Sequence, residues 1–121
     1  KPNMVISGKQ CAEQADVEEV AQRTVSTLLK HVPAAVPGIA FLSGGQSDEL
    51  ATAHLDAMNR LGDLPWSLSF SYGRALQAPA LQAWGGSPDN LAAGQQAFMH
   101  RARCNGAASK AQYSVDMEQA A

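Results

Sequence analysis

Phe41-Leu-Ser-Gly-Gly45 and Ser69-Phe-Ser-Tyr-Gly-Arg74 each close an apolar run with a glycine-bearing turn that leads straight into a helical pattern. This repeated order constrains the fold more than any other feature of the chain. Strand, helix and strand in succession require a crossover, and a crossover makes the two strands parallel. Parallel strands are covered on both faces, so they read as short continuous apolar runs. Gly38-Ile-Ala-Phe-Leu-Ser43 has that character, bounded by Pro37 and by Gly44-Gly45. Trp66-Ser-Leu-Ser-Phe-Ser-Tyr72 alternates apolar with small polar residues, which suits a strand that turns a small-residue face towards a crowded centre.

The helices follow from periodicity and caps. Residues 1–15 read as loop, with a strand ending near Val5 as an alternative. Asp16 has the look of an N-cap, with Glu19 at capping-box spacing. Val17, Val20, Ala21, Thr24, Val25, Leu28, Leu29 and Val32 then form an amphipathic stripe, stopped by Pro33 and Pro37. Ser47 caps a second helix whose apolar side carries Leu50, Ala51, His54, Leu55, Met58 and Leu61, with Gly62 and Pro65 ending it. A third helix runs from Ala75 to Trp84 across Pro79 and stops at Gly85-Gly86. A last helix spans Asp89 to about Ala108, with Leu91, Phe98, Met99 and Ala102 as expected core contacts. From about Lys110 the composition is polar, and 110–121 reads as a mobile tail.

Composition narrows the function classes. A chain of 121 residues with 45% hydrophobic and 17% charged residues is globular and at most one domain. A net charge of -2 and no basic run argue against nucleic acid as a partner. No apolar stretch is long enough for a membrane span. Cys11 and Cys104 are read as free thiols of a reducing cytosol, and His31, His54 and His100 are read as lying at no metal-ligand offset from them. The expectation is therefore no disulfide and no zinc site. His54 reads as a satisfied, partly buried histidine, and Trp66 and Trp84 as packing residues.

The two glycine turns carry the chemistry. Each sets backbone N–H groups at the C-terminal end of a strand and the start of a helix, a good place for a phosphate. Consecutive turns of this kind characterise the last units of a (β/α)8 barrel, where phosphate sites form after strands seven and eight. Two or three parallel strands cannot cover both faces and both edges of a sheet, and the opening Lys1-Pro2-Asn3 reads like the middle of a chain. The expectation is an α/β chain that forms part of a larger barrel.

Five ordered segments carry a resemblance. Lys1-Pro-Asn-Met4, Val32-Pro-Ala-Ala-Val-Pro-Gly38, Phe41-Leu-Ser-Gly-Gly45, Ser69-Phe-Ser-Tyr-Gly-Arg-Ala-Leu-Gln77 and Ala83-Trp-Gly-Gly86 resemble the C-terminal third of class I fructose-1,6-bisphosphate aldolases. The similarity runs from Lys1 to about Tyr113. It implies the end of strand six, units seven and eight and the terminal helix of a (β/α)8 TIM barrel, with residues 1–121 as the C-terminal segment of one domain. By the same resemblance Lys1 is the catalytic lysine that forms a Schiff base with the keto substrate. Such an amine needs a lowered pKa to act as a nucleophile near neutrality. Ser43, Gly44 and Gly45 are implied to bind a substrate phosphate after strand seven, and Gly73 and Arg74 after strand eight. A guanidinium suits that task because it can bind phosphate bidentately. Arg74 opposes the dipole of the helix it opens, which favours a functional role. Ser71 and Tyr72 shape the site, Tyr72 chiefly by packing.

The implied activity is reversible cleavage of fructose 1,6-bisphosphate to dihydroxyacetone phosphate and glyceraldehyde 3-phosphate, without metal or organic cofactor, by a cytoplasmic homotetramer. Two departures stand out. Animal members of the family end in a tyrosine that assists proton transfer, whereas this chain reads Met117-Glu-Gln-Ala-Ala121. The acid/base carboxylates and the second phosphate grip of the family belong to earlier strands. The alternative expectation is a non-catalytic fragment or interaction module.

Overall fold

The computed structural model describes residues 1–119. Its order is α1 (Val17–His31), β1 (Gly38–Phe41), α2 (Asp48–Arg60), β2 (Ser67–Phe70), α3 (Arg74–Trp84), a 3-10 turn (Pro88–Asn90), α4 (Leu91–Ala108) and a second 3-10 turn (Val115–Gln119). Both helix starts read from the sequence form as side-chain caps. The Asp16 carboxylate accepts the Glu19 N–H at 2.7 Å and the Ser47 hydroxyl accepts the Leu50 N–H at 3.1 Å. Losing such a cap costs about 1 kcal/mol. The box at Asp16 is only half closed, because the Glu19 carboxylate turns outward to take Arg23 Nε at 2.8 Å.

β1 and β2 pair in parallel, with Gly38 opposite Ser67 and Phe41 opposite Phe70. Ser71 N–H continues the ladder to the Phe41 carbonyl at 2.8 Å. On the other edge of β1 the Pro2 carbonyl accepts the Leu42 N–H at 2.8 Å, so the opening residues run beside the strand. The register leaves the C-terminal ends of both strands level, and this sets their two glycine turns side by side. Helices α1 and α2 pack on one another and α2 on β2, enclosing Val20, Phe41, Ala51, Leu55, Met58 and Leu68. Trp66 is buried as a packing residue and donates its indole N–H to the Pro33 carbonyl at 2.9 Å.

Helix α3 contains Pro79, which has no N–H to give the Ala75 carbonyl one turn back. Arg101 of α4 supplies the missing donor, its Nε reaching that oxygen at 3.4 Å. The same guanidinium, 3% exposed, donates Nη2 to the Asp48 carbonyl at 3.0 Å and to Thr52 Oγ1 at 2.5 Å. Nη1 donates to both carboxylate oxygens of Glu118 at 2.7 and 2.6 Å.

Two expectations are corrected here. The buried face of α4 is Arg101, Cys104, Asn105 and Ala108, whereas Leu91 and Met99, read as core, are 56% and 62% exposed and Phe98 is exposed as well. Trp84 joins them in lining an open cleft between α3 and α4 rather than packing inside. The segment from Lys110, which reads as a mobile tail, is docked as far as it is described. Tyr113 is 5% exposed, its N–H donates to Asp56 Oδ1 at 2.9 Å and its carbonyl accepts Arg60 Nη2 at 3.0 Å. Polar composition hid this, because charges on α2 and α4 anchor the segment alongside only two apolar contacts among the described residues, Tyr113 and Met117. Ala120 and Ala121 lie outside the described residues.

Candidate functional site

The turn after β1 is built for close approach. Gln46 N–H closes it on the Ser43 carbonyl at 3.2 Å, with Ser43 buried. Gly45 has φ +81, which requires glycine, and a Cβ there would stand 3.1 Å from Ile6 Cδ1, so that side chain would also have to shift. At Gly44 a Cβ would stand 3.5 Å from Asn3 Nδ2 and 3.7 Å from Arg74 Nη2. The bare Cα of Gly44 therefore faces a gap with an amide donor on one side and a guanidinium on the other.

Arg74 reaches that gap from the second turn. It is the first residue of α3, whose N-cap Gly73 offers no side-chain cap, so the first-turn N–H groups carry no such partner. The helix start and the guanidinium together make a donor-rich, electropositive end to the sheet. A Cβ at Gly73 would meet nothing within 4 Å, so local space does not impose that glycine. Tyr72 packs: it is buried, its hydroxyl donates to the Ala51 carbonyl at 2.8 Å, and burial pushes its phenol well above the ordinary range.

The structure thus brings Arg74 to Gly44 and joins the two turns. Lys1 is exposed and lies beside Gly38 and Ile39 at the start of β1, with Leu28 of α1 and Val32 just past its end. Its link to the first turn runs through Pro2, whose carbonyl holds the Leu42 N–H.

Two groupings were missed. Asn3, Gln46 and His54 form a hydrogen-bonded chain behind Gly44, and only Asn3 lies in a segment singled out from the sequence. His54 is 1% exposed, and burial pulls its imidazole down to about 4, so it is neutral at pH 7. The second is a cluster on α4. His100 and Cys104 are one helical turn apart, which corrects the reading that no histidine lies at a ligand offset from a cysteine, and their ligand atoms lie with that of Glu118 within 4.8 Å of one another. Arg101 already holds both Glu118 oxygens, so the carboxylate's capacity is spent on a cation within the protein. Burial alone would raise the Glu118 carboxyl, but Arg101, the Tyr113 hydroxyl and His100 outweigh it and hold it below its usual range. Burial, with the Glu118 charge, pushes the Cys104 thiol up. The cluster is a structural clamp. No helix among the described residues is long and apolar enough to cross a membrane.

Comparison with known proteins bears on the whole chain. The family described as fructose-bisphosphate aldolase class-I matches residues 1–121. A probable fructose-bisphosphate aldolase class 1 of Xanthomonas axonopodis pv. citri is 57% identical over 110 residues, covering 90% of this chain and 33% of its own. Fructose-bisphosphate aldolase B of Sparus aurata is 56% identical over 114 residues, covering 93% and 31%. A solved structure of fructose-bisphosphate aldolase from Plasmodium falciparum, in complex with TRAP and a small-molecule inhibitor, superposes with TM-score 0.90 at 45% identity. It covers 93% of this chain and 33% of that one. The chain spans about a third of the length of the relatives it matches, at their C-terminal end, and its fold is that portion of a TIM barrel.

Proposed function

The chain belongs to the class-I fructose-bisphosphate aldolase family, and on that premise we propose that it supplies the Schiff-base lysine and one phosphate site of a complete (β/α)8 aldolase. The observation that carries the proposal is the Arg74 guanidinium at Gly44, where two strand-end turns converge on one donor-lined gap. Ser43, Gly44, Gly45, Gly73 and Arg74 would hold the ketose C1 phosphate there. The reaction is reversible cleavage of fructose 1,6-bisphosphate to dihydroxyacetone phosphate and glyceraldehyde 3-phosphate.

Lys1 adds its amine to the C2 carbonyl and water leaves, giving a protonated imine. That cation accepts the electron pair of the C3–C4 bond as the aldehyde departs. Protonation of the resulting enamine at C3 and hydrolysis of the imine release the triose and regenerate the lysine. A phosphate fixed between Gly44 and Arg74 contributes by orientation, since it anchors C1 while C2 meets the amine. The acid/base groups would come from the earlier strands of the barrel. Cytoplasmic location and a homotetrameric assembly belong to the same proposal, supported by two free cysteines and by the family.

Borohydride reduces the imine to a stable amine and so marks the lysine that forms it. In the complete enzyme, Lys1→Met abolishes borohydride trapping of dihydroxyacetone phosphate together with cleavage. Trapping that persists at another lysine rejects the assignment of Lys1.

A further inference from the structure

We propose that His54 is a positioning residue for the phosphate turn, acting through Gln46 and Asn3 on the backbone of Gly44. This inference rests on the phosphate site proposed above and adds a part to it.

The hydrogen-bond directions follow from the backbone outward. Asn3 Oδ1 accepts the Met4 N–H at 2.9 Å, so Asn3 Nδ2 is the atom that donates to the Gly44 carbonyl at 2.9 Å. Gln46 meets Asn3 at the same Oδ1, at 3.2 Å, and must therefore present its Nε2. Its carbonyl oxygen then faces His54 Nδ1 at 2.7 Å, and the imidazole must carry its proton on Nδ1. Every member of the chain has one orientation, set at one end by the Met4 N–H and at the other by a ring fixed in α2.

His54 can play this part because it sits within α2 with its ring closed off from solvent. Its ring is buried, and Nε2 has no partner among the described residues, so Nδ1 is the only polar tie the ring makes. Its burial keeps it neutral, with a single tautomer available to the chain. A buried nitrogen without a partner is unfavourable, and its presence needs a compensating role. Holding Gln46, and through it the amide that grips Gly44, is such a role. Gln46 also closes the turn with its own N–H on the Ser43 carbonyl, so the residue is fixed at both its backbone and its side chain.

The test uses the complete enzyme and reads the turn as well as catalysis. Asparagine places an amide nitrogen where histidine places Nδ1, so His54→Asn keeps the donor, whereas His54→Leu removes it. Gln46→Ala breaks the chain on the half-buried loop and guards against misfolding of the core variant. His54→Leu and Gln46→Ala should raise KM for fructose 1,6-bisphosphate roughly tenfold with kcat nearly unchanged, the signature of lost uniform binding. His54→Asn should match the unsubstituted enzyme. Amide hydrogen exchange over residues 43–46 should quicken in the first two variants and not in His54→Asn. Unchanged exchange and KM in a folded His54→Leu and in Gln46→Ala, or a His54→Asn as impaired as His54→Leu, overturns the inference. Failure of the unsubstituted enzyme to cleave the bisphosphate overturns the proposed function instead, and the exchange measurement still decides the role of His54.

Discussion

At the scale of single residues, Gly44 and Gly45 look interchangeable in the sequence and are not. Gly45 needs glycine for its own backbone, with φ +81 and only 3.1 Å to Ile6 Cδ1 for an added carbon. Gly44 would tolerate a methyl as ordinary contact, yet that methyl would enter the gap between Asn3 and Arg74. Gly45→Ala should therefore cost about 1–2 kcal/mol of stability, read as a shift in urea midpoint. Gly44→Ala should change stability by less than about 0.5 kcal/mol and weaken substrate binding instead, read as a raised KM at unchanged midpoint. The two glycines were visible from the sequence because turns announce themselves through glycine and proline. Asn3, Gln46 and His54 were not legible as a unit, since no local pattern relates a residue before α1 to one inside α2.

Among the elements, α4 is where pattern and packing part company. Reading apolar residues as core assigns Leu91, Phe98 and Met99 to the interior, but the buried face sets Arg101 and Asn105 beside the small Cys104 and Ala108. An arginine can be buried here because four partners surround it: the carbonyl freed by Pro79, Asp48, Thr52 and Glu118. No periodicity can reveal that, as the partners lie on three other elements. Removing Glu118 leaves a buried cation unpaired, and Glu118→Gln should cost about 3 kcal/mol at neutral pH. The sign with pH follows from the lowered carboxyl. The unfolded glutamate titrates near 4.5 and the folded one below it, so the ionised pair stabilises the fold above 4.5. That contribution is lost as pH falls through the folded value. The difference in Tm between the unsubstituted protein and Glu118→Gln should be full at pH 7 and shrink below about 4.5. A difference that stays constant down to pH 3 would reject the ion pair as its source.

For the molecule as a whole, two parallel strands and an open cleft describe a piece of a larger barrel. β1 and β2 pair with each other, and Leu81, Trp84, Leu91, Phe98 and Met99 leave an apolar surface between α3 and α4. Expressed alone, residues 1–121 should melt over a broad range and bind a hydrophobic dye, and the complete barrel should melt sharply. A sharp two-state transition of the isolated piece would show it to be a self-sufficient module. The parallel βαβ order and the two glycine turns were legible because crossovers and turns are local. The docked C-terminal segment was not, because charges placed far apart in the chain hold it. That clamp also works as a latch. Arg101 joins Ala75 of α3 and Asp48 and Thr52 of α2 to Glu118 beyond α4, so a proteolytic cut between Tyr113 and Glu118 would strip a buried cation of its counter-ion while leaving every α-helix intact.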